Sequence, residues 1–132
     1  MPLKFHYHPL SSYCHKVLIA LYEKDLDFDP VMVDFGDAAA RAAYRNVSPM
    51  GKISALEDTE TGRTVNETTL IIEYLDAAYP TDPRLTPIDF DDTLTVRFWD
   101  RFFDNYVMTP MQKFTEDRMR VNGEKDPVGI EA

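Results

Sequence analysis

Apolar and polar residues alternate at the start of the chain, with Leu3, Phe5 and Tyr7 set against Lys4, His6 and His8; this period of two predicts a half-buried strand. Pro9 ends it. Ser11 and Ser12 are good helix caps, and beyond them Tyr13, Cys14, Val17, Leu18, Leu21 and Tyr22 recur at helical spacing as far as Lys24 and Asp25. Residues 28–35, with Pro30 near the start, read as a second strand, and the alanine-rich stretch 37–44 as a short helix. A turn-rich connection over 46–51 leads to two short runs, 53–56 and 63–65, and the Glu60-Thr61-Gly62 turn between them makes a hairpin the economical reading. Asn66 is then the expected cap of a helix whose Leu70, Ile71, Tyr74, Leu75 and Ala78 form an apolar stripe, ended by Tyr79 and Pro80.

Pro83 and Pro87 follow closely, so residues 81–88 read as a linker and a boundary is expected there. Beyond it, Leu94, Phe98, Phe102 and Tyr106 step by four with Trp99, Phe103 and Val107 beside them, which predicts a long helix with an aromatic face. Stripes at this spacing are core-forming faces before they are cofactor boxes. Pro110 is expected to kink or interrupt this helix, and residues 122–127 are polar.

Charge and cysteine content narrow the chemistry. With 23 acidic and 14 basic side chains the net charge is −9, and no Lys/Arg cluster with interleaved aromatics offsets it, so nucleic acid is not an expected partner. No apolar run is long enough to cross a bilayer, and the first eight residues lack the features of a signal peptide; the expected setting is the cytoplasm, with no membrane partner. Cys14 is the single cysteine, so thiol chemistry must use it or a thiol brought in by a ligand. His6 and His8 lie on one strand face without an evident third ligand, and no metal is expected.

Three local motifs stand in order: Ser11-Ser12-Tyr13-Cys14-His15-Lys16-Val17 opening the first helix, Pro49-Met50-Gly51-Lys52-Ile53-Ser54-Ala55-Leu56 leading into the hairpin, and Asn66-Glu67-Thr68 opening the helix after it. In these the chain resembles the cytosolic glutathione transferases, most closely the serine-type theta and zeta classes, over residues 3–80 and more loosely over 88–120. The resemblance implies an α/β thioredoxin-like N-terminal domain of order βαβαββα over residues 1–80. The linker over 81–88 and a partial, all-α C-terminal domain over 89–132 would follow. It also implies an enzyme that binds glutathione as co-substrate and uses its thiolate to attack a small electrophile, working as a homodimer.

Carried over residue by residue, the resemblance makes Ser11 the donor that stabilises the glutathione thiolate. A free thiol with a pKa of about 8.5 is mostly protonated at neutral pH, so a hydroxyl at a helix N-terminus favours the anion through a hydrogen bond and the helix dipole. Read alone, Ser11 is equally a plain N-cap, and Ser12 is the reserve hydroxyl. Cys14, three residues after Ser11, completes a C-x-x-C pattern whose first position is serine, and as a buried helix residue it reads as packing. The main chain of Ile53 would pair with the γ-glutamyl-cysteine backbone in the manner of an added strand. Ser54 stands where the family has a cis-proline, so either the Ile53–Ser54 bond is trans with a rebuilt loop or a non-proline cis bond is kept. Lys52 would meet the glycine carboxylate, Glu67 the α-ammonium, and the Thr68 hydroxyl with the helix amides the α-carboxylate. Without the other motifs Glu67 is an acid complementing a helix dipole and Lys52 a surface lysine. A non-catalytic glutathione-transferase-like binding domain is the competing reading; a disulfide reductase is disfavoured by the lone Cys14.

Overall fold

β1 (Leu3–Tyr7) is the strand around which the first part of the chain is built. In the computed structural model, which describes residues 1–131, it pairs in parallel with β2 (Phe28–Met32) and antiparallel with β3 (Ala55–Asp58). β4 (Arg63–Asn66) closes the hairpin with β3, giving the sheet order β2-β1-β3-β4. Between and after these strands lie α1 (Ser12–Glu23), α2 (Ala38–Tyr44) and α3 (Thr68–Ala78), so the element order is the expected βαβαββα. The second strand is shorter than its apolar pattern; Pro30 is tolerated because β2 is an edge.

Side-chain alternation assigns the two faces. Leu3, Phe5 and Leu56 pack with Cys14, Val17, Ala20, Leu21, Ile71 and Leu75, which puts α1 and α3 on one face of the sheet. Ala55, one residue out of phase with Leu56, packs with Val33 and Tyr44 on the α2 face. The expectation of a half-exposed first strand is therefore corrected at His6, which is buried: its ring lies against Tyr44, and its Nε2 meets Glu57 Oε1 at 2.5 Å. A central strand has both faces covered, and a histidine satisfied by a carboxylate can sit there.

Residues 81–86, expected as a loose linker, are tied down. Lys24, at the end of α1, is 2% exposed and Asp76, in α3, is 1% exposed. The Lys24 ammonium donates to Asp76 Oδ1 at 2.9 Å and to the carbonyls of Thr81 and Pro83 at 2.9 and 3.2 Å, using all three of its hydrogens. Asp76 in turn accepts from the Leu85 and Thr86 amides and the Thr86 hydroxyl. Burial pushes this carboxyl up, but the Thr86 hydroxyl, the Lys24 ammonium and the two amides outweigh it and hold the pKa at about 2.

The chain divides into two units, Met1–Thr86 and Pro87–Ala132. In the second, α4 (Phe90–Phe102) is capped by Asp89, whose carboxylate accepts from the Asp91 and Asp92 amides. It runs into a π-helical turn (Phe103–Met108) and then α5 (Thr109–Met119), with Pro110 in its first turn. The proline has no N–H for the helix ladder, and the ladder widens just before it, Thr109 N–H reaching back to Asp104 O. A short 3₁₀ turn (Asn122–Glu124) and α6 (Pro127–Glu131) follow. Along α4 and the π turn, Phe98, Trp99, Phe103 and Tyr106 are 50–72% exposed while their rings pack edge-on and tilted among themselves and Phe102.

Candidate functional site

Sheet register gathers the three motifs at one end of the first unit. His6 lies opposite Ala55, and Ala55 opposite Asn66, so the residues just after β1, just before β3 and just after β4 are neighbours. Those are the start of α1, the Ile53–Ser54 pair, and the Glu67–Thr68 start of α3. Two hydrogen bonds then stitch them: the Thr68 hydroxyl donates to the Tyr13 carbonyl in the first turn of α1 at 3.2 Å, and the Ser54 and Thr68 hydroxyls are 3.1 Å apart. Thr68 and Ser54 are both buried.

Ser11 is the N-cap of α1, with extended backbone and its Oγ accepting from the Cys14 N–H at 3.3 Å. A Ser11 N–H to His8 O bond and a His15 ring contact to Pro9 O close the turn that presents it. Ser12 is the first helical residue, so the two serines are not equivalent. Cys14 is fully buried; burial pushes its thiol up, against hydrogen bonds with the Ser11 side chain and the His8 backbone. A protonated, enclosed thiol does not serve as a nucleophile.

The Ile53–Ser54 bond is cis, which decides between the two alternatives that the missing proline leaves open. The segment before it is held from below: the Tyr44 and Ser48 hydroxyls both donate to the Lys52 carbonyl at 2.8 Å. Burial, against a bond with Ser48, pushes the Tyr44 hydroxyl up to about 12, so it stays a donor throughout the neutral range. Among the described residues, the Ile53 main chain has no hydrogen-bond partner, and the Lys52 side chain is exposed.

Asn66 is not the cap of α3. It ends β4, with Val65 on the α1/α3 face and its own Oδ1 buried without a partner among the described residues. The cap position belongs to Glu67, at φ 75°, whose carboxylate makes no capping bond and is exposed. Thr68, the first residue of α3, is buried; its hydroxyl donates to the Tyr13 carbonyl and lies within hydrogen-bond distance of the Ser54 hydroxyl. Sequence reasoning missed Ser54, Tyr44 and Ser48 as site builders, because a hydroxyl that holds a loop has no motif until the loop is folded. His6 and His8, weighed as metal ligands, are used otherwise: His6 on Glu57, and His8 accepting the Leu10 N–H beside Phe35.

Residues 5–83 match the family described as glutathione S-transferase, N-terminal domain. The chain belongs to the glutathione S-transferase family. Glutathione S-transferase Z2 of Arabidopsis thaliana is 37% identical over 90 residues, 67% of this chain and 39% of the relative. Protein LigF of Sphingobium is 33% identical over 93 residues, 69% of this chain and 35% of the relative. Among solved structures, a glutathione S-transferase of Methylobacillus flagellatus with glutathione bound superposes with a TM-score of 0.85 at 31% identity, over 98% of this chain and 61% of that one. The transferase-family chain thus has the thioredoxin-like N-terminal domain followed by helices, and spans little more than a third of these curated relatives.

Proposed function

We propose that the first unit is the glutathione-binding domain of a glutathione transferase, which stabilises the bound thiolate for attack on a small electrophile. The observation that carries this reading is the convergence of the α1 start, Ile53 and Glu67 through the two bonds of the Thr68 hydroxyl. Ser11 supplies a hydroxyl that rotates to donate to an incoming thiolate while its oxygen still caps α1. Ile53 pairs its unpartnered N–H and C=O with the tripeptide backbone, Lys52 meets the glycine carboxylate, and Glu67 takes the α-ammonium. The α-carboxylate rests on the Thr68 amide end of α3, where the helix dipole favours an anion. The glutathione-bound relative supports the same ligand class, and no metal is assigned a role. The same reading makes the working protein a cytoplasmic homodimer.

Calorimetry with glutathione tests binding, and the ultraviolet absorbance of the thiolate across pH tests activation. Ser11→Ala is expected to raise the pH at which the bound thiol ionises and to lower conjugation by about 10²-fold. Ser12→Ala does much less. Equal losses at the two serines would remove Ser11 from the mechanism.

A further inference from the structure

We propose that Tyr44 and Ser48 are positioning residues for glutathione: by holding the Lys52 carbonyl from the α2 side they fix the Lys52–Ile53 peptide plane and so aim the Ile53 N–H at the ligand's backbone. This rests on the glutathione-binding reading above. The Lys52 carbonyl and the Ile53 N–H belong to one peptide unit, which is planar and trans, so the two groups point in opposite directions. A carbonyl oxygen has two lone pairs and only accepts; this one receives the Tyr44 and Ser48 hydroxyls, each at 2.8 Å. With its carbonyl drawn toward α2, the peptide turns its N–H the other way, and among the described residues that N–H has no partner.

The two donors are themselves fixed by the fold. Tyr44, the last residue of α2, is 5% exposed; its ring packs against His6 and Phe35, in the cluster that holds Val33 and Ala55. Ser48 is 2% exposed. Its N–H donates to the Tyr44 carbonyl at 2.8 Å, and its carbonyl accepts from the Gly51 N–H at 2.8 Å, across a turn that Gly51 completes at φ 67°. On the other side of the peptide, the Ile53 side chain packs against both core clusters. A peptide plane can still turn about the line between its two Cα atoms while the side chains stay in place, and that rotation is the freedom the two hydroxyls remove. Each hydroxyl spends its single hydrogen on the Lys52 carbonyl, so both residues act through the main chain and not on the ligand.

The test uses this chain as wild type and as Tyr44→Phe, Ser48→Ala and the Tyr44→Phe/Ser48→Ala pair. Hydrogen exchange of the Ile53 amide, followed by NMR with and without glutathione, comes first. In the ligand-free wild type this amide is expected to exchange almost unprotected, and saturating glutathione to slow it by about tenfold or more. Slow exchange without ligand would show the N–H bonded inside the protein and overturn the proposal. Binding is then measured by calorimetry. Each single variant is expected to weaken glutathione by about 2-fold, because the remaining donor still holds the carbonyl, and the pair by about 5- to 10-fold, the factor for one hydrogen bond. In the pair, glutathione no longer protects the Ile53 amide, while the pH at which the bound thiol ionises stays at the wild-type value because Ser11 is untouched. Wild-type affinity in the pair, retained protection of Ile53, or a shift in thiol ionisation alongside the loss each overturns the assignment. Should the pair fail to fold, Ser48→Ala decides by the same readouts. Failure of the wild type to bind glutathione sinks the functional reading instead, and the ligand-free exchange of the Ile53 amide still decides how the peptide is turned.

Discussion

Replacing Asp76 by asparagine should destabilise the first unit more than any surface change, and the structure sets the size. The carboxylate is 1% exposed and receives the Lys24 ammonium, the Leu85 and Thr86 amides and the Thr86 hydroxyl. Its pKa of about 2 against the ordinary 3.8 corresponds to about 2 kcal/mol at neutral pH, each unit being worth about 1.4 kcal/mol. Asparagine also turns an N–H₂ group toward donors and leaves Lys24 buried without a counter-charge, which raises the expected loss to about 3–5 kcal/mol. Lys24→Met should cost less, because Asp76 keeps its amide and hydroxyl donors. The sign with pH follows from a depressed folded-state pKa: the contribution is complete above pH 4 and disappears as the pH falls toward 2. Urea denaturation at neutral pH, repeated down to acid, measures both effects, and exchange of the Leu85 and Thr86 amides reports release of residues 81–86. An Asp76→Asn variant within about 1 kcal/mol of wild type, or Lys24→Met proving the more damaging change, would refute this account.

Glu67→Gln should weaken glutathione binding by about 1.5–3 kcal/mol in calorimetry and leave the denaturation midpoint nearly unchanged, since the carboxylate makes no capping bond. Tyr44→Phe removes one of two donors to the Lys52 carbonyl; it should cost about 1 kcal/mol of stability in denaturant and reduce glutathione affinity through the Ile53 segment. Light scattering of this chain at micromolar concentration should show a dimer or larger species, because Phe98, Trp99, Phe103 and Tyr106 are at least half exposed; a clean monomer would show that this aromatic face does not drive association.

Local pattern alone carried the strands, the helices and their order. The period of two in residues 3–8, the helical spacing after Ser11 and the Glu60-Thr61-Gly62 turn are properties of neighbouring residues, and neighbours are what a linear pattern records. The family resemblance likewise came from three short motifs, and the cap at Ser11 from the residue type itself. What depended on partners brought together by folding stayed hidden. Asn66 looked like the better cap than Glu67 until the end of β4 consumed it in the sheet. His6 was one of the polar positions of the alternating strand, and only the flanking β2 and β3, with Glu57 and Tyr44 around its ring, bury it. The Lys24–Asp76 pair and the Ser54–Thr68–Tyr13 chain join residues 52, 14 and 55 positions apart. A buried charge or hydroxyl is tolerable only where folding delivers its partner, so the tertiary structure, and not the order of residues, decided which polar groups build the site and which hold it together.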